Sequence, residues 1–143
     1  MKRHLAFSAM CLVLFCGCVI KGDGVVNGTG ETVRIVVWTA SGAQREEKME
    51  PHASYGERRT SFKDKGRRYQ RMSAFDATGK EIGQFDVKQL PKSSKMYGAY
   101  LELIVVSDGI FPVPAKYLDR PEEHVNEIKQ IFYKECETQL TNP

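Results

Sequence analysis

The 143-residue sequence predicts a mainly β protein, an antiparallel β-sandwich or partly closed barrel with one C-terminal α-helix. Segments rich in β-branched and aromatic residues recur at intervals of about ten residues, which is the strand spacing of such folds. Glycine, aspartate and proline separate these segments, as hairpin turns require. One segment near the carboxyl end repeats its apolar residues at helical spacing.

Residues 1–17 are predicted to be a secretory signal peptide. Lys2 and Arg3 are followed by the uncharged residues 5–15, and small residues come next. The apolar run is shorter than the roughly 20 residues that a membrane-spanning helix needs. A core helix is disfavoured because several glycines follow at once.

The end of this segment resembles the lipobox of bacterial lipoproteins. Gly17 and Cys18 match the small residue and the cysteine at which such chains are cleaved and acylated. Leu14 supplies the branched aliphatic residue one position earlier than is usual, and Phe15 and Cys16 depart from the pattern. The resemblance implies a covalent lipid on Cys18, with an ordinary secreted protein as the alternative.

The same resemblance implies a location. Lipoproteins retained at the inner membrane carry an aspartate after the acylated cysteine, and Val19 stands there instead. The implied location is therefore the cell envelope, at the outer membrane and facing the periplasm in a Gram-negative host. Two or more acyl chains suffice for stable anchoring.

The domain organisation predicted from these features has three parts. Residues 18–30 are predicted to be the lipidated cysteine and a glycine-rich flexible tether, with an edge strand at 24–27. Residues 31–143 are predicted to form one β-sandwich domain, whose helix covers residues 120–140.

The mature chain is nearly neutral and contains one cysteine outside the amino-terminal region. Cleavage would remove Lys2 and Arg3, so 19 basic side chains would face 18 acidic ones, and net charge predicts no nucleic-acid partner. Because Cys136 would be the single remaining thiol, no internal disulfide is predicted. Cys136 is predicted to be either a buried apolar residue or a free reactive thiol.

Residues 32–39 form the clearest predicted strand of the first half, because β-branched residues dominate them. Val33, Ile35 and Val37 alternate onto one face. After a short turn, residues 44–49 predict a second and more exposed strand.

Residues 55–62 and 67–76 are predicted to be the two arms of a hairpin. Its tip would be residues 63–66, where an aspartate and a final glycine suit a tight turn. Strict alternation along the second arm places Tyr69 on the same face as Arg71, although neither face is cleanly apolar.

The second half predicts three more strands. A strand over residues 81–90 is expected to contain a bulge at Gly83. Residues 97–106 are apolar on both faces and predict a strand in the middle of a sheet. Residues 110–114 contain two prolines, which confine them to an edge strand or a loop.

The helix is predicted from its spacing and from its amino end. Pro121 suits the first turn, and Asp119 is a candidate cap. The apolar residues recur at helical spacing as Val125, Ile128, Phe132 and Cys136.

The densest charge feature is a basic cluster between residues 58 and 71. It consists of Arg58, Arg59, Lys63, Lys65, Arg67, Arg68 and Arg71, with Asp64 as the one acidic residue in the segment. Because arginine forks match phosphates and carboxylates, the cluster is a candidate contact for an anionic polymer or a lipid headgroup. The alternative is a solvated basic hairpin that protects an edge from pairing.

Neither a metal site nor enzymatic activity is predicted. His52, His124 and Cys136 show no recognised ligand spacing, and no nucleophile elbow or phosphate-binding glycine loop is present. No cofactor is expected besides the covalent lipid. The alternative is a periplasmic enzyme or inhibitor that acts through a loop cleft, which a pocket holding His52, a carboxylate and a serine would favour.

The sequence as a whole therefore predicts a membrane-anchored envelope lipoprotein whose sandwich domain is a binding or structural module. The predicted partners are the membrane, through the lipid, and an envelope protein or anionic polymer. A likeness to the small anchored components of envelope-assembly machines exists at the level of the fold alone.

Overall fold

A computed structural model describes residues 23–56, 65–90, 96–97 and 100–141. The strands are β1 (Gly24–Asn27), β2 (Val33–Thr39), β3 (Gln44–Met49), β4 (Ser54–Gly56), β5 (Tyr69–Phe75), β6 (Glu81–Asp86), β7 (Glu102–Val106) and β8 (Gly109–Pro112). The helix α1 covers Val125–Thr141, and short 3₁₀ turns cover Lys65–Arg67, Val87–Gln89, Ala115–Tyr117 and Pro121–His124.

The strands form two four-stranded sheets that pack face to face, which confirms the predicted β-sandwich. The first sheet has the order β3-β2-β5-β6, and the second has the order β4-β1-β7-β8. Neighbouring strands are antiparallel except β1 and β7, which run parallel. The sheets do not close into a barrel.

Two apolar clusters hold three layers together. The first lies between the sheets and contains Ile35, Met72, Phe85 and Leu103, each nearly or fully buried. The second lies between the second sheet and α1, where the fully buried Ile128 meets β7 and β8. The helix is therefore part of the core, because it covers the outer face of one sheet.

Strand β7 supplies both clusters, and the predicted central position of this segment is confirmed. Leu103 and Val105 face the first sheet, whereas Ile104 and Val106 face the helix. Strand β8 is the edge strand predicted from its prolines. A bulge does occur in β6, but at Ile82 and not at Gly83: Gly83 pairs regularly with Ala74, whereas the next pair is Glu81 with Phe75.

The predicted tether over residues 18–30 is wrong for the part that the structure describes. Strand β1 is buried along its whole length and lies between β4 and β7, not at an edge. A Cβ on Gly24 would lie 2.7 Å from a Glu102 oxygen, and one on Gly28 would lie 2.8 Å from Cδ1 of Ile104. These glycines permit close packing, so the folded part of the chain already includes Asp23.

The predicted hairpin between residues 55–62 and 67–76 is wrong as well. Strand β4 pairs with β1 in the second sheet, and β5 pairs with β2 and β6 in the first. Residues 57–64, which include the predicted tip at 63 and 64, lie outside the described residues.

The register of β5 departs from strict alternation. Thr39 pairs with Tyr69 and Trp38 with Arg71, so Gln70 is an extra residue in β5. This bulge turns Tyr69 into the core beside Met72, while Arg71 stays exposed. The prediction that Tyr69 shares a face with Arg71 is therefore wrong.

The helical segment begins as a 3₁₀ turn at Pro121 and becomes α-helical at Val125. The predicted cap at Asp119 is wrong, because Arg120 occupies the cap position and makes no side-chain capping bond. Within residues 23–56, 65–90, 96–97 and 100–141, no helix is both long and apolar enough to cross a bilayer.

Candidate anionic-ligand site at the basic tip

At one end of the sandwich lie two neighbouring segments, residues 39–45 and 65–71, which we call the basic tip. The turn between β2 and β3 is hydrogen-bonded to the chain before β5: Ala40 N–H donates to the Arg68 carbonyl at 2.9 Å, and Ser41 N–H donates to the Gly66 carbonyl at 3.0 Å. The basic tip carries Arg45, Lys65, Arg67, Arg68 and Arg71 and no acidic residue.

The structure places part of the predicted cluster here. Arg67, Arg68 and Arg71 are exposed at the basic tip. Lys65 opens the 3₁₀ turn that precedes them. Three further members of the predicted cluster, Arg58, Arg59 and Lys63, lie outside the described residues. Arg45 was not predicted, because its neighbourhood depends on the pairing of β3 with β2.

The outer face of the first sheet pairs arginine with aromatic rings. The guanidinium of Arg71 lies 4.2 Å from the centroid of the Trp38 ring, and that of Arg34 lies 4.1 Å from the Phe75 centroid. Such stacking holds a guanidinium in place. Nη1 of Arg34 already lies 3.4 Å from a Glu46 carboxylate oxygen, so the N–H edge of a ring-stacked arginine on this face does meet an oxyanion. Trp38 was missed as a site residue, although its alternation against Val37 places it on the outer face.

A small cleft of about 210 Å³ adjoins the basic tip. Its walls include Arg68 and the three tyrosines Tyr69, Tyr97 and Tyr100. Asp23 also lines the cleft, and its carboxylate accepts the backbone N–H of Tyr69 at 2.8 Å and that of Leu101 at 3.2 Å. Asp23 is buried and accepts N–H groups next to both sheets, so it connects the two sheets at this end.

Tyr97 connects the cleft to the helix. Burial, and then the charges of Glu135 and Cys136, raise the pKa of Tyr97 well above that of an ordinary tyrosine. Its hydroxyl is buried and has no hydrogen-bond partner within the described part of the chain. It therefore stays protonated at physiological pH.

Cys136, one of the two groups beside Tyr97, is a free and half-buried cysteine. Burial, and then the charge of Glu135, raise the pKa of its thiol. Its thiolate fraction is therefore small at neutral pH, which suits a packing role better than a reactive one.

A second and wider cleft, of about 660 Å³, lies between the sheets at the opposite end of the sandwich. Its two charged lining residues, Glu31 and Asp76, are both acidic. The lining of this cleft is therefore acidic, with Lys80 as a basic neighbour of Asp76.

His52 and His124 lie outside both clefts. Nδ1 of the exposed His52 is 3.8 Å from a Glu122 carboxylate oxygen, and His124 stacks on Tyr117 with the ring centroids 4.4 Å apart. Among the residues that the structure describes, no three histidine, cysteine or carboxylate side chains group as metal ligands would.

Comparison with known proteins adds no relative to this description: no protein-family model, curated protein or solved structure matches the chain.

Proposed function

We propose that this chain is a lipid-anchored protein of the bacterial cell envelope, whose β-sandwich binds an anionic ligand through the basic tip. The anchor is supported by the signal-like residues 1–17 and by the lipobox resemblance at Gly17 and Cys18. The binding role rests on one observation: two hydrogen-bonded segments carry the exposed residues Arg45, Arg67, Arg68 and Arg71 and contain no acidic residue of their own.

The ligand class follows from the side chains. Arginine offers planar pairs of N–H donors that match phosphate and carboxylate oxygens. Envelope polymers and lipid headgroups both present such groups. The proposed location is the outer membrane, on the side that faces the periplasm.

Binding at an exposed site of this kind is expected to be weak and sensitive to salt. A single exposed ion pair contributes about 0.2–1 kcal/mol, so several must act together. The Debye length is about 8 Å at physiological ionic strength, and added salt screens such contacts further.

The binding role is tested with immobilised polyphosphate as the probe and the detergent-solubilised, acylated protein as the binder. Replacing Arg67, Arg68 and Arg71 with serine should lower retention about tenfold at low salt, given the contribution of each pair. The matched control is Lys48→Ser with Lys80→Ser, which removes exposed cations outside the basic tip. Equal retention of the two variants would overturn the binding role.

The anchor is tested separately, by mass spectrometry of the mature amino end. We expect a chain that starts at Cys18 and carries a diacylglycerol thioether there. An unmodified Cys18, or a start elsewhere, would overturn the anchor. Changing Cys18 to serine should also release the protein from membranes on fractionation.

The second predicted function, an enzyme or inhibitor that acts through a loop cleft, remains a prediction. The feature that would favour it is a pocket holding His52 with a carboxylate and a serine. His52 is paired with Glu122 and lines neither cleft described above.

A further inference from the structure

The chain enters the folded domain at the basic tip. Strand β1 starts where β7 starts, since Gly24 pairs with Glu102. The carboxylate of Asp23 binds the N–H of Tyr69, the first residue of β5, which belongs to the basic tip. Cys18 precedes Asp23 by five residues, which span roughly 18 Å even when fully extended. A lipid on Cys18 would therefore hold the basic tip close to the membrane.

Exposed apolar side chains lie at the same end. Met96 is 37 % exposed, and its carbonyl accepts the N–H of Ala115, just beyond the end of β8. Leu140 is 85 % exposed and lies one helical turn beyond Cys136, the neighbour of Tyr97. Basic and apolar side chains together are the combination found on surfaces that rest on anionic membranes.

We propose that the ligand of the basic tip is the phosphate headgroup of anionic phospholipid in the leaflet that holds the protein's own anchor. The domain then rests on that leaflet with the basic tip down and the cleft lined by Glu31 and Asp76 away from it. This inference rests on the proposed function, because it requires both the lipid on Cys18 and the anionic ligand class.

The short connection favours headgroups over a polymer. A short linker gives the tethered group an effective concentration of millimolar order, so a weak contact with the same leaflet suffices. Each basic residue near an anionic surface strengthens association about fivefold. The cleft beside Arg68 is small, about 210 Å³, and the buried Asp23 carboxylate lines it, so the headgroup contact is assigned to the exposed arginines and not to the cleft.

Acidic groups also lie near this end. Asp86 is opposite Arg71 in the pairing of β5 with β6 and keeps its charge, since the backbone N–H of Lys88 does not neutralise a carboxylate. The Glu102 side chain lies against Gly24. The variant that tests this inference therefore replaces Arg67 and Arg68 and not Arg71. The helix carries Glu127, Glu135 and Glu137, so its long side is a poor surface for an anionic leaflet. Only the carboxyl end of the helix, with Leu140, contributes to the contact.

Tryptophan fluorescence can report whether the basic tip lies against the membrane. Trp38 is the single tryptophan and pairs with Arg71 at the basic tip. We would reconstitute the full acylated protein into phosphatidylcholine vesicles with and without phosphatidylglycerol, each doped with a lipid that carries a nitroxide on its headgroup. Quenching of Trp38 fluorescence then measures how close the basic tip lies to the headgroups.

We expect stronger quenching in the vesicles that contain phosphatidylglycerol, and loss of that difference at high salt. The double variant Arg67→Ser, Arg68→Ser should weaken the association of the basic tip with the leaflet about 25-fold, which is about fivefold for each charge removed. The control Lys48→Ser with Lys80→Ser should keep the quenching. The lipid and salt comparisons need no variant, so a folding defect in the arginine variant would not obscure the result.

Three results would contradict the inference, and each has a different consequence for the proposed function. Equal quenching with and without phosphatidylglycerol, with binding to polyphosphate intact, would overturn this inference and leave the proposed function standing with a polymer as the ligand. If the protein bound neither headgroups nor polyphosphate, both this inference and the proposed binding role would be overturned. Absence of the lipid on Cys18 would remove the anchor on which the inference depends.

Discussion

Asn27 is a fully buried polar residue that connects the two sheets. Its amide nitrogen donates to the carbonyls of Glu31 at 2.8 Å and of Met49 and Glu50 at 3.1 Å. Its Oδ1 accepts the N–H of Thr29 at 2.9 Å and the hydroxyl of the same residue at 2.7 Å. The loop after β1 and the end of β3 therefore depend on one side chain.

Asn27→Ala should lower the free energy of unfolding by about 3 kcal/mol, because buried carbonyls lose their donor. Urea denaturation followed by Trp38 fluorescence measures this change. Asn126→Ala, the same substitution at an exposed position of α1, should change stability by no more than about 0.5 kcal/mol. Equal effects of the two substitutions would contradict the role given to Asn27.

Asp76 makes a pH-dependent contribution in the turn between β5 and β6. The hydroxyl of Thr78 donates to its Oδ1 at 2.6 Å, and the backbone N–H groups of Lys80 and Thr78 add to this. These bonds hold the pKa of Asp76 below that of an ordinary aspartate. A depressed pKa in the folded state contributes stability above the unfolded pKa, which is lost as the pH falls through the folded pKa.

Removing the hydroxyl with Thr78→Val should raise the pKa of Asp76 toward its ordinary range. The expected change is visible in an NMR titration of the Asp76 carboxyl carbon at acid pH. Thr78→Ser keeps the hydroxyl and should leave the titration near that of the parent chain. A pKa that Thr78→Val does not move would contradict the assignment of the shift to this bond.

Two glycines show why the predicted flexible tether was wrong. Glycines at 24 and 28 look like the residues of a flexible tether, since composition cannot distinguish flexibility from close packing. The atoms that a Cβ would approach at these positions, on Glu102 and Ile104, lie far away in the sequence. Gly79 differs from these two glycines, because its positive φ is a local requirement of a turn that depends on no distant atom. Gly66, at the predicted hairpin tip, is not among the glycines with a positive φ.

At the scale of elements, α1 is a structural layer. Replacing an apolar side chain with alanine should lower stability on its buried face but not at its exposed end. Ile128 is fully buried against Ile104 and Phe111, so Ile128→Ala should cost about 2–5 kcal/mol. Leu140→Ala on the exposed end of the same helix should change stability by no more than about 0.5 kcal/mol. Thermal unfolding of both variants tests this, and a small loss at Ile128 would place the helix outside the core.

Element types were more predictable than strand partners. The alternation of β2, the exposure of β3 and the two apolar faces of β7 are local patterns, and each was read correctly. The partner of β4 was not, because a three-residue strand carries little pattern and pairs with β1 across the sandwich. The bulge at Gln70 likewise leaves no local signal, so Tyr69 was placed on the wrong face.

At the scale of the whole molecule, the corrected start of the domain makes a prediction about truncation. A chain that begins at Asp23 keeps β1 and should unfold cooperatively. A chain that begins at Gly28 loses the strand between β4 and β7 and should not fold, since both neighbours lose their hydrogen bonds. Near-ultraviolet circular dichroism during urea denaturation distinguishes the two chains. If the chain that begins at Gly28 folded, the residues before it would be a flexible tether, as the sequence predicted.

The candidate site was predictable in part. A run of basic residues is visible in any sequence, and Arg67, Arg68 and Arg71 belong to the basic tip as well. A one-dimensional pattern does not show which residues become neighbours: Trp38 contacts Arg71 only because β2 pairs with β5, and Arg45 lies opposite Val37 only because β2 pairs with β3.

The parallel pairing of β1 with β7 also governs the order in which the chain can fold. The hydrogen bond from Leu101 to Asp23 spans 78 residues, so the pairing of β1 with β7 waits for the last third of the chain. At a synthesis rate of about 5–20 residues per second, that delay is roughly 4–16 s. During this interval β1 can pair with β4, but the second sheet stays incomplete until β7 and β8 have been synthesised.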